Sequence, residues 1–135
     1  MSDCHEIHAT RHAVIHGKLF RNHKNDCLLE NFSIATSAWE RMRGLLGRPP
    51  LAHNEGLLIR PCNSVHTMGM KYPIDVIYLD RDHCILKIVP KLQPQRLSFC
   101  FGASATLELC DGSAKKFKLN LGDQLFWQIS DGRAH

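Results

Sequence analysis

The segment that most limits the fold is Ile74-Asp75-Val76-Ile77-Tyr78-Leu79, directly after Pro73. Read with the two-residue period of a strand, Ile74, Val76 and Tyr78 fall on one face and Asp75, Ile77 and Leu79 on the other. Both faces are largely apolar, which is the pattern of a strand covered on both sides. A chain with such a strand at its centre is expected to be mainly β. Asp75 is the exception within it. A buried carboxylate without partners costs several kcal/mol, more than one side chain can impose on a marginally stable domain. Asp75 is therefore expected to be paired, and the nearest donors in sequence are His66, Thr67 and the backbone N–H groups of the loop from Thr67 to Tyr72, where Gly69 allows a tight turn. On this reading Asp75 clamps its preceding loop to the strand. The alternative makes His66 and Asp75 an acid–base pair, with the aspartate orienting the imidazole. No nucleophile-elbow pattern surrounds Ser64 or Thr67 to support a covalent mechanism.

The flanking patterns supply the other elements. Leu28, Phe32 and Ile34 share one strand parity, interrupted by Glu30. Ser37 and Glu40 form a capping box, in which hydroxyl and carboxylate each satisfy a free backbone N–H, so a short helix is expected there. Trp39, Met42 and Leu46 would form its apolar face, with Gly44, Gly47 and Pro49-Pro50 as stop signals. "GLLIR" is a strand, Asp80 to His83 a turn cluster, and Cys84 to Val89 the returning hairpin partner. "ATLELC" and "QLFWQI" each alternate one apolar with one more polar face, which places Glu108 on a polar face; Leu121 to Asp123 is a turn between them. Short strands, one short helix and frequent turns predict a compact sandwich or barrel. The domain is expected over residues 23–135, preceded by a loosely attached histidine-rich arm, residues 1–22.

Composition excludes several classes. The content is 44% apolar and 22% charged, ordinary for a globular protein. The apolar runs are strand-sized, short of the roughly 20 residues that span a bilayer. Charges and histidines stand where a secretory signal needs an apolar segment, so a cytoplasmic location is expected. The six cysteines form no C-x-x-C pair and read as small core residues. The net charge of +4 is mild and spread out, and Lys115, Lys116 and Lys118 have only Phe117 among them, so neither a nucleic-acid nor a membrane partner is expected. Cys4, His8, His12 and His16 would share one face of a helix, and such donors suit zinc, nickel or copper. Gly17, Val14 and Ile15 weaken that helix and no tetrahedral spacing is met, so no metal and no cofactor are expected.

"RMRGLLGR", "EGLLI", "HTMGMKYPIDVIYLD", "ATLELCDG" and "LGDQL" occur in this order over roughly residues 28 to 126. In these segments the chain resembles the bacterial and archaeal domain of unknown function 192 family. The resemblance implies a small β-sandwich or closed barrel of the jelly-roll kind with a helix at one edge, and it implies no established activity. The chain departs from the family pattern in having His83 where the hairpin usually has glycine, and in having the histidine-rich arm where many relatives carry a signal or lipid anchor.

The function expected is that of a small, non-catalytic ligand-binding or accessory protein whose loop from His66 to Tyr72 walls a pocket. Its binding residues would be His66, Thr67, Met70 and Asp75, with Arg48 offering a guanidinium to an anion beside glycine-exposed N–H groups. Gly44, Gly56, Pro73, Asp80, Glu108, Gly122 and Asp123 are read as structural. The alternatives are an enzyme using His66 and Asp75 on a small substrate, with or without a metal, and a protein-interaction module using exposed strands or the arm. The partner expected is a small ligand or a protein.

Overall fold

The computed structural model describes residues 14–22, 26–36 and 49–129. In chain order the strands are β1 (Val14–Arg21), β2 (Cys27–Ala35), β3 (Glu55–Ile59), β4 (Ser64–His66), β5 (Ile74–Leu79), β6 (Ile85–Leu92), β7 (Leu97–Phe99), β8 (Ala105–Cys110) and β9 (Leu125–Ile129), with helix α1 (Ser113–Lys116) between the last two. Seven strands form one sheet in the order β6-β5-β8-β3-β2-β1-β9, and β4 pairs with β7 in a second, two-stranded sheet. The protein is mainly β.

The double apolar character of β5 explains the layering. Ile77 and Leu79 enter one core with Leu19, Leu29, Phe32, Leu58 and Leu107, whereas Ile74, Val76 and Tyr78 enter a second core with Leu57, Ile59, Val65 and Cys100. All six residues of β5 are buried. Strand β8, which lies between β5 and β3, is covered in the same way, so its supposed polar face is wrong: Thr106 and Glu108 are buried, Glu108 to 4% exposure. A central position, not side-chain polarity, decides burial there. The Thr106 hydroxyl is accommodated by donating to the Cys62 carbonyl at 3.0 Å.

Two further expectations are corrected. The sheet is not closed into a barrel, because its edge strands β6 and β9 meet only at one corner. There Cys84 bridges Gln124, Leu125 N–H donates to the His83 carbonyl at 3.0 Å, and Ile85 N–H donates to the Asp123 carbonyl at 2.9 Å. Beyond that corner β6 shifts register twice against β5, and such bulges bend a strand away from its neighbours. Residues 14–21, assigned to the arm, are strand β1, paired antiparallel with both β2 and β9 and contributing Leu19 to the core. Gly17 is needed in it: a Cβ there would lie 2.1 Å from the Gln128 carbonyl oxygen. Strands β2 and β3 pair in parallel. The helix expected from Ser37, with Trp39, Met42, Gly44 and Leu46, lies outside the described residues. The described helix α1 follows Gly112 in the left-handed region and was not apparent in the sequence. No helix among the described residues is long and apolar enough to cross a membrane.

Candidate functional site

Asp75 is 1% exposed, and its carboxylate is held by two backbone donors. Lys91 N–H of the bulged strand β6 donates to Oδ1 at 2.9 Å, and Ala114 N–H, in the first turn of α1, donates to Oδ2 at 2.8 Å. The side chain thus ties β5 to β6 and to the helix after β8. The expectation that its own preceding loop supplies the donors is wrong. Backbone N–H groups left unpaired by a bulge and by a helix start are the better match, since each otherwise lacks an acceptor.

The loop after β4 is organised without Asp75. Thr67 is fully buried and its hydroxyl donates to the Gln93 carbonyl at 2.7 Å and accepts from Arg96 N–H at 2.8 Å. Gly69 N–H donates to the Gln95 side chain at 2.9 Å. Loop 67–70 is therefore tied to residues 93–96 ahead of β7. His66 is exposed on β4 and makes no hydrogen bond to Asp75, whose partners are Lys91 and Ala114. Met70 packs against the second core. His66, Thr67 and Met70 line neither of the two cavities described below.

The other sequence candidates have separate places. Asp80 Oδ1 accepts from Asp82 N–H at 2.8 Å and Cys84 N–H at 3.0 Å, shaping the β5–β6 turn. Asp123 Oδ2 accepts from Asn120 N–H at 2.9 Å beside Gly122 at φ +90°. Pro73 precedes β5 and Gly56 lies within β3. Arg48, Gly44, Cys4, His8 and His12 lie outside the described residues. His16 stands on β1, a strand and not a helix, with Nδ1 3.1 Å from Ser33 Oγ in a cavity of about 350 Å³ that Glu30 and Glu55 also line. Those carboxylates are engaged elsewhere, Glu30 with Lys18 at 3.4 Å and Glu55 with Ala52 N–H at 2.7 Å. Among the described residues no three histidine, cysteine, aspartate or glutamate side chains come together as metal ligands.

The arrangement with the clearest binding chemistry was not singled out from the sequence. At one end of the sheet, the chain just after β2 (Thr36) and β3 (Arg60, Pro61), the turn after β5 (Arg81, His83) and the start of β8 (Ser104, Ala105) line an open cleft of about 400 Å³. The pairings Ala35 with Ile59, Ile59 with Thr106, and Leu79 with Ala105 bring these chain ends together. Its walls are mostly apolar, while its charges are of one sign. Neither Arg60 nor Arg81 forms an ion pair among the described residues. Arg60 instead lies over the Trp127 ring, 5.4 Å from its centroid, and the His83 ring lies 4.1 Å from the same indole. Burial lowers the His83 pKa, and the nearby Arg60 charge lowers it further, against the opposing pull of Asp80 and Asp82. His83 adopts φ +68°, a left-handed backbone that glycine enters without strain. Its retention of a side chain there adds a wall to the cleft.

Two solved structures share this fold. A protein of unknown function from Novosphingobium aromaticivorans DSM 12444 has a TM-score of 0.72 at 20% identity, over 82% of this chain and 84% of that one. A "putative transcription regulator" from Sinorhizobium meliloti 1021 has a TM-score of 0.71 at 21% identity, over 85% of this chain and 94% of that one. No curated protein matches the chain. Over residues 21–127 it matches the family model described as DUF192, Uncharacterized ACR. The chain belongs to the DUF192 family.

Proposed function

We propose that the chain is a small ligand-binding protein whose ligand is an organic anion with an apolar body, seated in the cleft between Arg60, Arg81 and His83. One observation carries this reading: two guanidinium groups without ion-pair partners among the described residues flank a largely apolar cleft. Apolar walls with a few convergent polar groups are the usual build of a small-molecule site, and a guanidinium fork matches a carboxylate or phosphate. The acid–base enzyme reading has no such support, since Asp75 is hydrogen-bonded to Lys91 N–H and Ala114 N–H and not to His66. The finer fold reading, a sandwich of the jelly-roll kind, belongs to the same proposal. It draws support from the small β4–β7 sheet, tied to β5 by the hydrogen bond from Tyr78 Oη to Ser98 Oγ at 2.8 Å.

Titration calorimetry with carboxylates of increasing apolar bulk, and with inorganic phosphate, tests the proposal. Binding should strengthen with apolar bulk, and Arg81→Gln should weaken it by about tenfold, the loss of one charge-assisted hydrogen bond. Arg60→Gln should weaken it similarly. Absence of heat with every member of the series, or equal affinity in both variants, would overturn it.

A further inference from the structure

A second surface carries a different chemistry. Along β7 the exposed Leu97 and Phe99 flank the buried Ser98, and Phe101 follows at the tip of the next turn, 88% exposed. The Phe99 and Phe101 rings lie 6.0 Å apart, so the apolar groups are continuous. Cations border them. Lys87 Nζ donates to the Phe99 carbonyl at 2.9 Å, and Arg96 is exposed immediately before Leu97. The chain supplying β4, β7 and their loops is also free of acid: no aspartate or glutamate occurs between Glu55 and Asp75, or between Asp82 and Glu108. Those stretches carry Arg60, Lys71, Lys87, Lys91 and Arg96, of which Lys91 is neutralised by Asp111 at 3.1 Å.

We propose that this face docks on an anionic lipid bilayer, with Leu97, Phe99 and Phe101 entering the headgroup region and Lys87 and Arg96 facing the lipid charges. This departs from the expectation that the chain has no membrane partner. Interfacial binding scales with the apolar area inserted plus attraction to anionic lipid, and both are present here. A second copy of the chain fits poorly, because a two-fold contact would set the same cations against their own images. An acidic peptide fits less well than a bilayer. Strand addition takes its specificity from pockets for alternate side chains, and Leu97, Phe99 and Phe101 line neither described cavity. A fluid surface needs none.

Flotation of the full chain with vesicles tests this, using phosphatidylcholine alone and phosphatidylcholine mixed with phosphatidylserine. The protein should float with the mixed vesicles only and be released as salt rises. Phe101→Ser, at a solvent-exposed position, should lower partition about tenfold, and Lys87→Gln and Arg96→Gln roughly fivefold each. As an independent readout, Phe101→Trp should shift its emission to the blue with mixed vesicles. No flotation, equal flotation with neutral vesicles, or partition indifferent to Phe101→Ser would overturn the proposal. So would Phe101-dependent self-association, or capture of an alternating glutamate–leucine peptide, in the absence of vesicle binding.

Discussion

Asp75 shows how far a single residue can be read. Its place in a doubly covered strand demands partners, and it has two. Their identity was out of reach because they lie 16 and 39 residues further along the chain and donate through backbone groups, which leave no trace in side-chain pattern. The same geometry predicts the response to Asp75→Asn. One acceptor oxygen becomes an NH₂ that must face a backbone N–H, so the variant should fold but lose about 2 kcal/mol, the cost of an unmet buried hydrogen bond. Urea denaturation measures this, and an unchanged midpoint would remove Asp75 from any account of stability. Thr67 makes the complementary case. Proximity in sequence recommended it as a donor to Asp75, yet its hydroxyl serves the Gln93 and Arg96 backbone instead.

At the scale of elements, alternation and turn chemistry located β3, β5, β8 and β9 and the β5–β6 hairpin. Strand β1 was missed although Ile15, Gly17 and Leu19 alternate with the exposed His16 and Lys18. Histidines and a glycine disguise it, and the glycine is there for space. Gly56 in β3 is the corresponding feature of the core. A Cβ at that position would sit 2.5 Å from Leu29 Cδ1 and 3.0 Å from Leu109 Cδ2, both on buried leucines. Gly56→Ala should therefore destabilise by about 1–3 kcal/mol through overpacking, although alanine is otherwise the better strand residue. Thermal unfolding with an unchanged midpoint would mean the two leucines yield freely. The polar parity of β8 misled for the opposite reason: a strand hydrogen-bonded on both edges and covered on both faces buries whatever it carries.

At the scale of the molecule, the corner where β6 meets β9 joins fold to site. There the His83 ring packs at a tilt against Trp127, with Arg60 over the same indole and Asp80 and Asp82 close by. His83 has its pKa lowered from the ordinary 6.5 in the folded protein. The unfolded chain then binds this proton more readily than the native one, so the stability contribution is complete above the unfolded value and is lost as pH falls through the native one. Melting temperature should fall from neutral pH towards about 5, and His83→Asn, which tolerates the left-handed backbone but does not titrate, should reduce that slope. Parallel slopes for the two proteins would show that the ring's proton is not linked to folding.

By itself the sequence determined that β2, β3, β5, β6, β8 and β9 are extended, that the strand after Pro73 is buried on both faces, where the hairpin turns, and that Asp75 must be paired. These depend on side chains a few positions apart, whose alternation is written locally. The tertiary structure alone decided the strand order, the meeting of the sheet edges at one corner instead of closure, the donors to Asp75, and the gathering of Arg60, Arg81 and His83 around one cleft. Each of these depends on pairings between residues tens of positions apart, and the free energy that selects among such pairings comes from packing the whole chain at once.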